Sequence, residues 1–267
     1  MRLRAPLVLA TAGLLSLTAC GGSSSSDAAA GSTAGTEDAG LSGTLTVFAA
    51  ASLTDVFTDL GDQLMADNPD LTVEFNFAGS SALATQIGQG APADVFASAN
   101  QTQMTVVTDA GLAEGDPTVF TENVLEIAVP EGNPADVSGI DDFGDPDLTL
   151  AVCAPDVPCG AAAEQVFEAA GVTAQPDTLE EDVRAALTKV ELGEVDAALV
   201  YASDVQSAGD SVEGITFPEA EDAVNEYPIA TLAAAPNPEA ARAFLDLVES
   251  DAGQQALTDA GFRSPGA

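Results

Sequence analysis

The sequence predicts an α/β fold with mainly parallel strands. Three observations carry this. Short apolar runs recur from residue 44 onward, and segments with apolar residues at helical spacing alternate with them. Several of the strand-to-helix turns carry Ser, Gly and other small residues, at the carboxyl ends of strands where α/β folds bind ligands. The chain has 267 residues, 46% of them hydrophobic, which suffices for one large or two small domains with a buried core.

The elements follow in order. Residues 44–50 (TLTVFAA) form a strand, Ser52 takes an N-cap position, and Leu53, Val56, Phe57, Leu60 and Leu64 follow at helical spacing until Asn68-Pro69. Leu71, Val73, Phe75 and Phe77 alternate as a second strand. After Gly79-Ser80-Ser81, residues 82–88 read as a short helix and 94–97 as a short strand. Residues 124–129 and 148–152 are buried strands, and a helix over 161–170 stops at Gly171. A helix over 180–192 opens with Thr178 and Glu181 spaced as a capping box. Residues 197–201 form a strand running into Ala202-Ser203-Asp204, residues 227–233 another, and helices over 238–249 and 252–260 finish the chain. No turn carries a Walker or dinucleotide glycine fingerprint.

Charge excludes several functions. Asp and Glu number 43 against 6 Lys and Arg, with no histidine, for a formal net charge of −37. Such a chain repels phosphate backbones, so nucleic acid is not its partner. Without imidazole there is no Ser-His-Asp or Cys-His device and little scope for catalytic zinc; Lys189 is the only lysine. The chain therefore reads as a non-enzyme, and its acidic surface as a solvated face.

The N-terminus reads as a targeting segment. Arg2 and Arg4 precede a short apolar stretch, residues 6–17, too short to span a bilayer comfortably. It ends in Leu17-Thr18-Ala19-Cys20, which resembles a bacterial lipobox and implies a signal peptide over 1–19 with lipid on Cys20. Residues 20–43 then form a flexible, glycine- and serine-rich tether. The expected location is the outer face of the cell membrane. In an exported protein the remaining pair, Cys153 and Cys159, suggests a disulfide around the loop APDVP, with two free thiols as the alternative.

Two turns, AAASLT at 49–54 and FAGSSALA at 77–84, each place a serine at a helix opening. A helix N-terminus offers unpaired N–H groups and partial positive charge, and a hydroxyl adds a donor, so such ends receive anions without Lys or Arg. Either serine alone is equally well a plain structural cap.

The runs AAASLTDVF, FAGSSALATQIGQGAPADVFASA and EDVRAALTKVELGEVDAALVYASD resemble the substrate-binding proteins of molybdate ABC transporters, over residues 45–262. The resemblance implies a two-lobed, periplasmic-binding-protein type II-like fold, each lobe a mainly parallel sheet flanked by helices, with the ligand in the cleft. It implies lobe one over 44–123 plus 226–267 and lobe two over 124–225. It also implies that Ser52, Ser80 and Tyr201 donate hydroxyls to the oxyanion, and Cys159 and Val183 backbone N–H groups. Cys159 stands in Val-Pro-Cys-Gly where the family has Val-Pro-Ala-Gly, a departure that a Cys153–Cys159 bridge accommodates. The implied partners are molybdate or tungstate, an ABC permease and the membrane through the lipid. The implied protein is a monomer without a cofactor, molybdenum entering only as the bound oxyanion. Arg184, one helical step from Val183, is expected to pack between lobes or face solvent. Sulfate, thiosulfate or phosphate remain alternative cargoes, and a surface lipoprotein without a transport role the alternative class.

Overall fold

The computed structural model describes residues 40–266. The expected signal peptide, Cys20 and the tether up to residue 39 lie outside them.

The first sheet is built from β1 (Ser42–Ala50), β2 (Asp70–Ala78), β3 (Val95–Ala97), β4 (Thr118–Asn123) and β10 (Asn225–Thr231), in the order β2-β1-β3-β10-β4. The second holds β5 (Leu125–Pro130), β6 (Leu150–Cys153), β7 (Thr178–Glu180), β8 (Ala197–Tyr201) and β9 (Val212–Ile215), in the order β7-β6-β8-β5-β9. In each sheet one strand opposes the rest: β10 pairs antiparallel with β3 and β4, and β5 with β8 and β9. These are the strands that enter their sheets straight from the other one. Val124 alone separates β4 from β5, and residues 216–224 return the chain to β10. Parallel neighbours need a crossover helix, which neither entry has. This is the two-lobed type II-like architecture.

The helices are α1 (Thr54–Asp67), α2 (Ser80–Gly88), α3 (Gln101–Asp109), α4 (Pro158–Ala170), α5 (Val183–Glu191), α6 (Ala202–Ala208), α7 (Pro238–Glu249) and α8 (Asp251–Asp259). Both faces of the first sheet are covered, and β1 shows why. Leu45, Val47 and Ala49 point to the core shared with α1 and α7, where Phe57 meets Phe244 edge-on at 5.3 Å. Phe48 points the other way, to Leu83, Phe96 and Met104. A separate core of Ile127, Phe143, Leu150, Val166 and Leu199 holds the second lobe.

Four expectations change. Ser52 does not cap a helix: a 3-10 turn, Ala51–Leu53, leads directly into α1, and the Ser52 hydroxyl turns to Tyr227 at 2.9 Å. The expected capping box at Thr178 and Glu181 is absent because residues 178–180 pair with β6 as β7. α5 therefore starts at Val183, with the Asp182 carboxylate accepting from Ala185 N at 2.9 Å. α4 starts three residues earlier than periodicity gave, with Pro158 at its first position. α3, β4 and β9 escape the apolar pattern altogether; α3 buries only Met104 and Val107, and its signal is the Asn100 cap on Gln103 N.

Candidate functional site

Six chain segments meet around one small cavity between the lobes. The first lobe supplies Ala50 to Ser52, Ala78 to Ser80 and Ala99; the second supplies Val157 to Cys159, Asp182, Val183 and Tyr201. Ser52, Ser80, Cys159, Val183 and Tyr201 thus all line the same space, although the chain separates the outermost by 149 positions (201 − 52).

All but the Ala99 segment share one device, a helix opening. The 3-10 turn before α1, α2, α4, α5 and α6 all begin at the cavity. The first three, with N-cap residues Ala50, Gly79 and Val157, carry no side-chain cap bond. Asp182 caps α5, and Asp204 in the first turn of α6 accepts from Tyr201 N at 3.1 Å. Helices that open elsewhere are capped by side chains: α3 by Asn100, α7 by Asn237 and α8 by Ser250. The first N–H groups of a helix have no intrahelical partner. At the cavity they are left for whatever occupies it, together with the positive end of each dipole.

The three hydroxyls are prepared in the same sense. Ser80 Oγ accepts from Ala99 N at 3.0 Å, and Tyr201 Oη accepts from Asn225 Nδ2 at 3.0 Å. Ser52 Oγ shares a bond with Tyr227 Oη at 2.9 Å, in which the phenol can be the donor. With an oxygen lone pair already engaged, Ser80 and Tyr201 keep a proton to donate, and Ser52 does so when Tyr227 is the donor of their shared bond. Burial pushes both phenols well above the usual tyrosine range, so they stay neutral donors.

Behind the hydroxyls lies a buried network that sequence reasoning missed. Asn123 ends β4 and Asn225 begins β10, and the two are register partners. Asn225 Nδ2 also donates to Ala99 O at 2.7 Å, and Asn123 Nδ2 to Ser203 Oγ at 2.7 Å. The Tyr201 hydroxyl is therefore tied to the strand ends where the chain passes between the two sheets. The one available signal was Tyr227, since the chain has only two tyrosines.

Cys153 and Cys159 are bridged, fastening the end of β6 to the first turn of α4. Arg184 does not line the cavity. Its Nη2 lies 2.5 Å from Asp55 Oδ2 on the first lobe, and its Nε lies 3.0 Å from buried Asp204 Oδ1 on its own. The second contact is a charge approach without hydrogen-bond alignment. Burial pushes the Asp204 carboxyl up to about 7, with Arg184 acting in the opposite direction. Asp182 is the single carboxylate residue on the lining, and one of its oxygens is taken by the α5 cap.

Residues 45–263 match the family described as bacterial extracellular solute-binding protein. The chain belongs to this family. It is 44% identical to the molybdate-binding protein ModA of Mycobacterium tuberculosis strain H37Rv over 249 residues, 93% of each chain. Against ModA of Escherichia coli K12 the identity is 36%, covering 71% of this chain and 77% of that one. Among solved structures, the periplasmic molybdate-binding protein of Azotobacter vinelandii superposes with a TM-score of 0.74 at 19% identity, over 83% of this chain and 99% of the other, a likeness of fold. Solute-binding proteins of this family are transport components, not enzymes.

Proposed function

We propose that this protein captures molybdate, and tungstate with it, outside the cytoplasm and delivers it to the permease of an ABC transporter. The observation that carries the reading is the set of uncapped helix openings and proton-bearing hydroxyls around one small cavity. A tetrahedral dianion brings four acceptor oxygens and no proton. Ser52, Ser80 and Tyr201 meet it with O–H groups, and Cys159 and Val183 with N–H groups from α4 and α5. All are neutral, so the empty site buries no unpaired charge. Phosphate species that carry a proton need an acceptor as well, and the lining offers only the partly engaged Asp182. The relatives named for molybdate support the cargo.

In this reading lobe one comprises 44–123 plus 226–267 and lobe two 124–225. A lipid on Cys20 and the tether that follows it hold the monomer at the outer face of the membrane beside its permease. The tether ends earlier than residue 43, because Ser42 and Gly43 already pair with β2. Among the described residues no helix is long and apolar enough to cross a membrane.

The test is calorimetric titration with molybdate, tungstate, sulfate and phosphate. Molybdate and tungstate should bind tightly and the others weakly. Ser52→Ala with Ser80→Ala should remove two charge-assisted bonds, each worth about 1.5–3 kcal/mol. Unchanged isotherms for that double variant would sink the site; tight sulfate binding would reassign the cargo.

A further inference from the structure

Gly79 opens α2 with φ near −57°, a backbone any residue adopts. Its lack of a side chain is therefore not conformational in origin. A Cβ placed there would lie 2.3 Å from Glu181 O and 3.3 Å from Val157 Cγ1. Both neighbours belong to the second sheet's half of the molecule, and Glu181 O is backbone that cannot swing aside. The lobes thus touch backbone to backbone at the lip of the cavity, two residues before Val183. One residue beyond Val183, Arg184 reaches across to Asp55 on α1.

We infer that Gly79 is the closure seat of this binding protein: only a glycine lets the first lobe come to rest on Glu181, and the Arg184–Asp55 pair then holds the seated lobes together. The inference rests on the oxyanion reading and adds to it residues that touch no ligand but set affinity through closure. The geometry gives the two parts unequal weight. The Gly79 contact is a hard steric limit. The ion pair is partly in water, with side-chain exposures of 26% for Arg184 and 58% for Asp55, and exposed pairs contribute little. Binding the ligand requires donors from both lobes at once, so a protein that cannot seat loses the second lobe's N–H groups and Tyr201 together.

Spin labels at Thr85→Cys and Asp156→Cys, exposed positions on opposite lips of the inter-lobe groove, report closure by their separation. The parent and its Gly79→Ala and Asp55→Asn derivatives are each titrated with molybdate, tungstate, sulfate and phosphate. The expected result is that molybdate shortens the label distance in the parent. Gly79→Ala should bind at least about 100-fold more weakly and keep the long distance even at saturation, with an unchanged melting curve before ligand is added. Asp55→Asn should close normally but release ligand a few-fold faster. A Gly79→Ala protein that reaches the parent's short distance and affinity would overturn the seat while leaving the oxyanion site intact. A parent closed by sulfate and indifferent to molybdate would overturn the cargo, and the Gly79→Ala comparison would then be read with sulfate. A parent closed by none of the four would overturn both.

Discussion

Asn225 Nδ2 donates to the Tyr201 hydroxyl at 3.0 Å and to Ala99 O at 2.7 Å, tying the strand that returns to the first lobe to the phenol at the floor of the cavity. The phenol oxygen is thereby an acceptor on one side and a free donor on the other. Tyr201→Phe should remove that donor alone. Affinity for molybdate should fall by about 10- to 100-fold, the loss of one charge-assisted bond. The fold should survive, because Asn225 keeps Ala99 O and the ring keeps its packing against Tyr227 at 6.0 Å. Titration calorimetry beside a thermal melt separates the two effects.

Asp204 makes stability depend on pH in an unusual direction. Its carboxyl is pushed from 3.8 up to about 7 by burial, so the folded protein holds a proton that the unfolded chain has already released between about pH 4 and pH 7. Stability from this group is complete below about pH 4, falls as pH rises through that window, and levels off above it. The effect is on the order of 4 kcal/mol at most. Melting curves from pH 4 to 8 should therefore show a downward slope that Asp204→Asn flattens. The other carboxylates are common to both proteins, and the difference isolates Asp204. Parallel curves would show that the buried carboxylate does not titrate in this window.

The disulfide supplies a third expectation. Closing the loop between Cys153 and Cys159 restricts the unfolded chain by about 2 kcal/mol in the chain-entropy account. It also ties the opening of α4, and with it the Cys159 N–H, to the end of a sheet strand. Cys153→Ser with Cys159→Ser should lower the melting temperature and weaken molybdate binding, while Ser52 and Ser80 on the other lobe are untouched. A variant that melts earlier yet binds as before would leave the bridge a purely structural role.

Much of this architecture is legible in the sequence for a plain reason. Where apolar periodicity is strong, as in β8 and α7, the strand 197–201 and the helix 238–249 coincide with their observed ends. Ser80 stands in a run whose local order puts it at a helix opening. The expectation of Cys159 and Val183 at the cavity rests on the family resemblance alone, since apolar periodicity places their helices over 161–170 and 180–192. What the sequence hides is whatever closes between distant segments. Ser52 finds Tyr227 across 175 positions and Arg184 finds Asp55 across 129. Asn123 and Asn225 carry no local pattern, being polar residues where strands end. The capping box at Thr178 failed for a tertiary reason: β6 claims residues 178–180 as a strand, and Asp182 is left as the first residue free to cap.

A second glycine separates the rigidity of one lobe from motion between lobes. At Gly160 a Cβ would fall 1.9 Å from Ala154 O and 2.7 Å from Cys153 O, all within the second lobe. The loop 154–157 folds back on the first turn of α4, with Val157 N donating to Ala154 O at 3.0 Å, and leaves no room to retreat. Gly160→Ala should therefore cost stability in the ligand-free protein. Overpacking of this kind costs about 1–3 kcal/mol, which for a body of this size lowers the melting temperature by roughly 2–12 °C. Because the strained turn carries the Cys159 N–H, affinity should fall as well. Gly79→Ala should do the reverse, sparing the ligand-free melt and losing only binding, since its clash exists only when the lobes meet. A melt of both variants without ligand decides the matter: equal destabilisation of the two would mean that the Gly79 contact persists in the free protein and is part of its resting fold.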